Sequence, residues 1–160
     1  MPHSNESQIG DFRLPASTGQ TLSLESFQGK VPMVFVFLDR ESPRDRELLE
    51  SLNSHLRDFG SERSQVLVIL RITARQAREL ADERGMAIPI LADASGAMAR
   101  DFDADDGRST RPVAIVADKD GRVVRRFDPI SAEDDASEVT SALFYAVRAL
   151  GSGALEAPGE

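Results

Sequence analysis

Two continuous apolar runs, separated by a helical pattern, constrain the fold more than any other feature. Residues 32–38 are Pro-Met-Val-Phe-Val-Phe-Leu, and residues 65–70 are Gln-Val-Leu-Val-Ile-Leu. Runs rich in β-branched and aromatic residues are typical of strands buried on both faces of a sheet. Between the runs, Ser42 can cap a helix, Pro43 suits its first position, and leucines follow at helical spacing up to Gly60. The pattern predicts a β-α-β unit with parallel strands.

The rest of the chain predicts further helices and a hairpin. Thr73 can cap a helix that Gly85 ends, and residues 133–150 carry the apolar spacing of a last helix. Gly121 ends a tight turn that joins two predicted strands into a hairpin. The two strands are residues 113–117 and 122–127; a short N-terminal hairpin (12–14 with 21–24), a strand at 88–91 and a helix or turn at 95–102 complete the order.

This order predicts one α/β domain, a thioredoxin-like three-layer α/β/α sandwich with a central mixed sheet and a short N-terminal β-hairpin. The domain is expected over residues 9–150. Residues 1–8 are expected to form a flexible N-terminus and residues 151–160 a flexible C-terminal tail.

The composition excludes several kinds of chemistry. The chain has no cysteine, so it has no thiol nucleophile, disulfide, thiolate metal site or iron–sulfur cluster of its own. Its only histidines, His3 and His55, argue against a multi-histidine metal site, and neither a cofactor nor a metal is expected. A net charge of -8 disfavours nucleic acid as a partner. We find no signal peptide and no membrane-spanning run, which predicts a cytoplasmic protein that does not contact membranes.

Four short segments resemble, in order and spacing, a peroxiredoxin of the alkyl hydroperoxide reductase and thiol-specific antioxidant group. The resemblance covers residues 9–129. The segments are Ile9-Gly10-Asp11-Phe12-Arg13-Leu14-Pro15, the stretch from Gly19 to Gly29-Lys30, Leu91-Ala92-Asp93-Ala94-Ser95-Gly96, and Val116-Ala117-Asp118-Lys119-Asp120-Gly121-Arg122-Val123. The resemblance implies the redoxin branch of the thioredoxin superfamily.

The resemblance also implies where the chemistry of such proteins is carried, in a P-x-x-x-T-x-x-C motif at the start of the first helix. Laid on this motif, Leu38 stands at the Pro, Ser42 at the Thr and Asp45 at the reactive Cys. A carboxylate has no two-electron oxidation comparable to that of a thiolate. Asp45 is therefore expected to be a charge at a helix N-terminus, where the macrodipole favours an anion.

The resemblance adds two further residues to the site of Ser42 and Asp45, which we call the vestigial site because it lacks the reactive cysteine. Arg111 lies one residue from the usual peroxiredoxin arginine, and Pro112 falls on the thioredoxin-type cis-proline position. We therefore expect a cis Arg111–Pro112 bond in a loop that a partner contacts. Ser42, Asp45 and Arg111 are the candidate catalytic set, with no catalytic role confirmed.

Other groups of polar residues are better explained by structural roles than by functional ones. The acidic loop around Asp101, Asp103, Asp105, Asp106 and Gly107 lacks the spacing of a calcium-binding EF-hand loop and is expected to be solvated. Ser42 lacks an adjacent base, and His55 is expected to be a partly buried structural residue. Four arginines could surround an anion, but the carboxylates interleaved with them in the sequence favour a surface of mixed charge. The arginines are Arg40, Arg44, Arg46 and Arg111.

Together these observations predict a cysteine-free, peroxiredoxin-like redoxin without peroxidase activity that acts as a binding or regulatory module. The expected partner is another protein, and a homodimer is an open alternative. A second hypothesis is a working peroxide-reducing, antioxidant system whose chemistry comes from a partner's cysteines or from a bound cofactor. A third is non-redox catalysis by Ser42, Asp45 and Arg111, which lacks a visible base.

Overall fold

A computed structural model describes residues 8–105, 110–130 and 135–152. Its centre is a five-stranded sheet in the order β5-β4-β3-β6-β7. β3, β4 and β5 run parallel, whereas β6 and β7 are antiparallel to their neighbours. The strands are β3 (Met33–Leu38), β4 (Gln65–Leu70), β5 (Ile90–Ala92), β6 (Val113–Ala117) and β7 (Val123–Phe127). The mixed, thioredoxin-like α/β fold is confirmed.

The N-terminal hairpin and the five helices of the described residues cover the sheet. β1 (Arg13–Pro15) pairs antiparallel with β2 (Thr21–Ser23), and a single 3-10 turn, Leu24–Ser26, follows. The helices are α1 (Pro43–Ser54), α2 (Leu56–Ser61), α3 (Ala74–Arg84), α4 (Ala97–Asp101) and α5 (Ala136–Ser152). α5 continues two residues beyond the predicted end at residue 150, and its predicted start at residue 133 lies outside the described residues.

Side chains alternate along β3 between two hydrophobic cores, as the geometry of a strand requires. Val34, Val36 and Leu38 pack with α1, α2, α3 and α5 on one face. Met33, Phe35 and Phe37 pack on the other face with the N-terminal hairpin and α4. All six residues of β3 are buried, which explains why this strand shows no polar alternation in the sequence.

Several segments of the resemblance have structural roles in the folded chain. Asp93 is buried, and its carboxylate accepts hydrogen bonds from the backbone N–H groups of Met98 and Ala99 at 3.1 and 2.9 Å, at the start of α4. Gly96, just before that helix, has φ +78°, a conformation that glycine adopts without strain. Gly121 has φ +89° in the predicted hairpin turn. These residues shape turns and helix ends.

The prediction that His55 is partly buried is wrong, because His55 is exposed. The predicted single helix up to Gly60 is interrupted at this residue, where α1 ends and α2 begins. The ring Nδ1 lies 2.8 Å from the carbonyl oxygen of Ser51. In a continuous helix His55 would lie beside the leucines that form the apolar face, whereas at the break its side chain is exposed.

Candidate functional site

The candidate site lies where β3 ends and α1 begins. Ser42 is the N-cap of α1, with extended backbone, and its side chain accepts a hydrogen bond from the backbone N–H of Asp45 at 3.2 Å. Pro43 occupies the first helical position, where its missing N–H leaves no helical hydrogen bond unmade. The predicted start of the helix is confirmed, and it brings Ser42 and Asp45 into contact.

Asp45 is only 4% exposed, although it lies in the first turn of a helix. Its Oδ2 accepts a hydrogen bond from the backbone N–H of Asp39 at 2.8 Å, which ties the loop after β3 to α1. Its Oδ1 lies 3.8 Å from a guanidinium nitrogen of Arg44. Burial raises the pKa of Asp45, outweighing the hydrogen bond from Asp39 and the attraction of Arg44, which lower it. The sequence predicted a helix-end charge, and the structure adds that this charge is buried.

A cavity of about 220 Å³ opens beside Asp45. It lies at the ends of β3 and β4, between α1 and α3. In open α/β sheets this edge, outside the carboxyl ends of parallel strands, is where ligands commonly bind. The residues of α3 that line it could not be assigned from the sequence, because they join the site only through tertiary packing; they are Leu80, Glu83 and Arg84.

Arg111 does not line this cavity and is held elsewhere. Its guanidinium forms a two-point ion pair with the carboxylate of Asp128, with both N–O distances 2.8 Å. The same group donates to the carbonyl oxygens of Asp103 and Asp105. Arg126 also binds Asp128 at 2.9 Å, and the hydrogen bonds from Arg111 and Arg126 lower the pKa of Asp128. Arg111 thus anchors the acidic loop to the end of β7.

The expected cis bond before Pro112 is wrong. Among the described residues, the one cis peptide bond joins Asp128 to Pro129. The Arg111–Pro112 bond is trans, the form that X–Pro bonds take by default. The carbonyl oxygen of Pro112 accepts a hydrogen bond from the N–H of Ile130 at 2.7 Å, so this loop is paired within the chain.

The other candidate groups are mostly engaged locally. Arg40 lies 3.9 Å from Glu41, and Arg44 donates to the carbonyl oxygen of Ile130 at 3.3 Å. Within the described part of the chain, no three His, Asp or Glu side chains are placed to hold a metal ion. Asp106 and Gly107 of the acidic loop lie outside the described residues. No helix in the described ranges is long and apolar enough to cross a membrane.

Comparison with protein families places this arrangement in context. Residues 6–126 match the AhpC/TSA family, which is more than half of the chain. The chain belongs to the AhpC/TSA family. The family assignment agrees with the resemblance found in the sequence, and the absence of cysteine applies to the whole chain. No curated protein matches the sequence significantly.

Solved structures show the same fold. Peroxidoxin BcpB from Mycobacterium tuberculosis is 23% identical, with a TM-score of 0.78, over 89% of this chain and 94% of that chain. AhpC from Enterococcus faecalis is 18% identical, with a TM-score of 0.77, over 91% and 93%. Peroxiredoxin Q from Xanthomonas campestris is 18% identical, with a TM-score of 0.75, over 88% and 91%. At these identities the likeness establishes the fold alone.

Proposed function

We propose that this AhpC/TSA-family protein does not reduce peroxides and acts as a binding or regulatory module. The observation that carries the proposal is the buried carboxylate of Asp45 at the first turn of α1, in a chain without cysteine. The resemblance assigns the reactive thiolate to this position. A carboxylate there keeps the negative charge of a thiolate but cannot form a sulfenic acid.

The surrounding residues support binding more than catalysis. The Ser42 hydroxyl is occupied in capping α1, and Arg111 is held by Asp128. Non-redox catalysis by Ser42, Asp45 and Arg111 would require the three groups to converge, and the Arg111 guanidinium is committed to another loop. The site retains a cavity beside a buried ionisable group, a combination typical of ligand-binding sites.

The decisive experiment measures peroxide consumption by the purified protein with dithiothreitol or thioredoxin as the reductant. We expect the rate to equal that of a heat-denatured sample, because no side chain can complete a thiol cycle. Turnover well above that control would overturn the proposal.

A second arm tests the hypothesis that a partner supplies the cysteines. Complexes are captured under native conditions, and their peroxidase activity is compared with that of the partner alone. Stimulation of the partner's own activity supports a regulatory role for this chain. Activity that appears only when both proteins are present, and that requires the partner's cysteines, supports the partner-supplied alternative.

A further inference from the structure

The cavity beside Asp45 has an apolar floor. Four leucines line it, and Leu38, Leu49 and Leu70 are buried in the core face that α1 and α3 cover. Leu80 of α3 is half-buried and closes one side. At about 220 Å³ the cavity is smaller than the roughly 300–1,000 Å³ of sites for drug-sized ligands. The floor therefore suits a short apolar group.

The remaining wall of the cavity is charged. Three arginines and three carboxylates line it: Arg40, Arg46, Arg84, Asp39, Asp45 and Glu83. Arg84 is paired with Glu50 on α1. Within the described residues the guanidinium of Arg46 makes no ion pair or hydrogen bond, although it lies one residue from Asp45 and lines the same cavity. Arg46 is thus a cation available to a ligand.

The charge balance of this wall depends on Asp45. With every carboxylate ionised, the three positive and three negative charges cancel. Protonation of Asp45 leaves one excess positive charge and removes the negative charge nearest the buried end of the cavity. An anion therefore enters more favourably when Asp45 is protonated.

We propose that this cavity binds a small monocarboxylic acid with an apolar body, and that Asp45 takes up one proton from solvent as the carboxylate binds. The apolar body lies on the leucines, and the carboxylate pairs with Arg46. The inference rests on the proposed binding function and names the chemical class of its ligand.

The groups facing Asp45 are consistent with this coupling. The loop after β3 presents Asp39 and Arg40, α1 presents Arg44 and Arg46, and α3 presents Glu83 and Arg84. Burial already raises the pKa of Asp45, so less free energy is needed to protonate it than to protonate an exposed aspartate.

The test titrates the protein with hexanoate by calorimetry between about pH 5.5 and pH 7.5. Proton uptake linked to binding predicts an affinity that rises on the order of tenfold per pH unit as the pH falls, while Asp45 is ionised in the free protein. Hexanamide has the same body without the charge, and acetate has the charge without most of the body. We expect both to bind more weakly than hexanoate, and hexanamide to show no pH dependence.

Two variants locate the effect. Asp45→Asn imitates the protonated carboxyl, so it should bind hexanoate at about pH 7.5 at least as tightly as the wild type does near pH 5.5, with little pH dependence. Arg46→Gln should weaken hexanoate binding by about five- to tenfold. Arg78→Gln, on the exposed part of α3 away from the cavity, is the matched control and should leave binding unchanged. If Asp45→Asn fails to fold, the proposal is still tested by the pH dependence of hexanoate binding to the wild type and by the comparison of Arg46→Gln with Arg78→Gln.

The proposal is overturned if hexanoate does not bind, if Asp45→Asn keeps the full pH dependence, or if Arg46→Gln binds hexanoate no more weakly than the control Arg78→Gln. A protein that neither reduces peroxide nor binds hexanoate would overturn the ligand class and leave the proposed function standing. A protein that reduces peroxide would overturn the proposed function whatever it binds.

Discussion

The absence of cysteine separates the chemistry available to this chain from that of a thiol-dependent redoxin, and the resemblance puts Asp45 at the position of the reactive thiol. Asp45 accepts a backbone hydrogen bond from Asp39 and lies near Arg44, yet burial dominates and raises its pKa. The sequence could predict a negative charge at the N-terminus of α1 from Ser42 and Pro43. It could not predict the burial of that charge, because the covering side chains come from separate elements.

The raised pKa of Asp45 predicts how stability depends on pH. Both folded and unfolded chains are protonated at this residue below the ordinary value of 3.8, and ionisation of the folded form at higher pH is opposed by burial. The stability associated with the protonated form is therefore lost as the pH rises through the raised folded pKa. Asp45→Asn should be more stable than the wild type at about pH 7, because it removes a negative charge that burial disfavours. Urea denaturation at several pH values measures this difference, and it should shrink as the pH approaches 3.8. A variant less stable than the wild type at neutral pH would show that the ionised form is favoured.

For the ion pair of Arg111 and Asp128 we predict the opposite dependence of stability on pH. The pKa of Asp128 is lowered, mainly by its hydrogen bond from Arg111, so its stabilisation is present above 3.8 and is lost as the pH falls through the lowered folded value. Asp128→Asn should lower the free energy of unfolding at neutral pH by about 1–2 kcal/mol. Thermal or urea denaturation measures it, with Asp82→Asn on the exposed face of α3 as the control, expected to change stability by less than about 0.5 kcal/mol. Equal stabilities of the two variants would refute a structural role for the pair.

At the scale of elements, the buried strands and the start of α1 were predictable, whereas the break between α1 and α2 and the register of the β6–β7 hairpin were not. β3, β4 and β6 match their predicted ranges within one residue, because continuous apolar runs mark strands covered on both faces. The break between α1 and α2 has no glycine or proline to signal it. The contact of Arg111 with Asp128 follows from the β6–β7 hairpin, whose register pairs Ala114 with Phe127 and so brings the flanking residues together. That register was not deduced from the sequence.

A side-chain contact near the break between α1 and α2 could not be predicted from the sequence. Asn53, in the last turn of α1, accepts hydrogen bonds at its Oδ1 from the N–H groups of Ala87 and Ile88 at 2.8 and 3.0 Å. It thereby ties the segment before β5 to α1. Asn53→Ala should lower the free energy of unfolding by about 1–2 kcal/mol, because it leaves the N–H of the buried Ile88 unsatisfied. Ser54→Ala, which removes only an exposed hydroxyl, is the control for chemical denaturation. Indistinguishable unfolding curves for the two variants would contradict this role.

At the scale of the whole molecule, the fold and the absence of thiol chemistry were both predictable. The order of elements and four short motifs predicted the thioredoxin-like fold and the family, and the cysteine count excluded a thiol cycle within this chain. The cavity walls depend on how α1 and α3 pack over the ends of β3 and β4, which no local pattern encodes. The family scaffold could therefore be predicted from the sequence, whereas the walls of the cavity could not.

The initial rate of hydrogen peroxide consumption, measured with dithiothreitol as a function of protein concentration, tests directly whether this chain reduces peroxides. Met33 and Met98 are buried, and methionine oxidation does not sustain a dithiol-driven cycle. We expect that the rate does not increase with the concentration of this protein. A rate that rises in proportion to native protein and disappears after heat denaturation would contradict it.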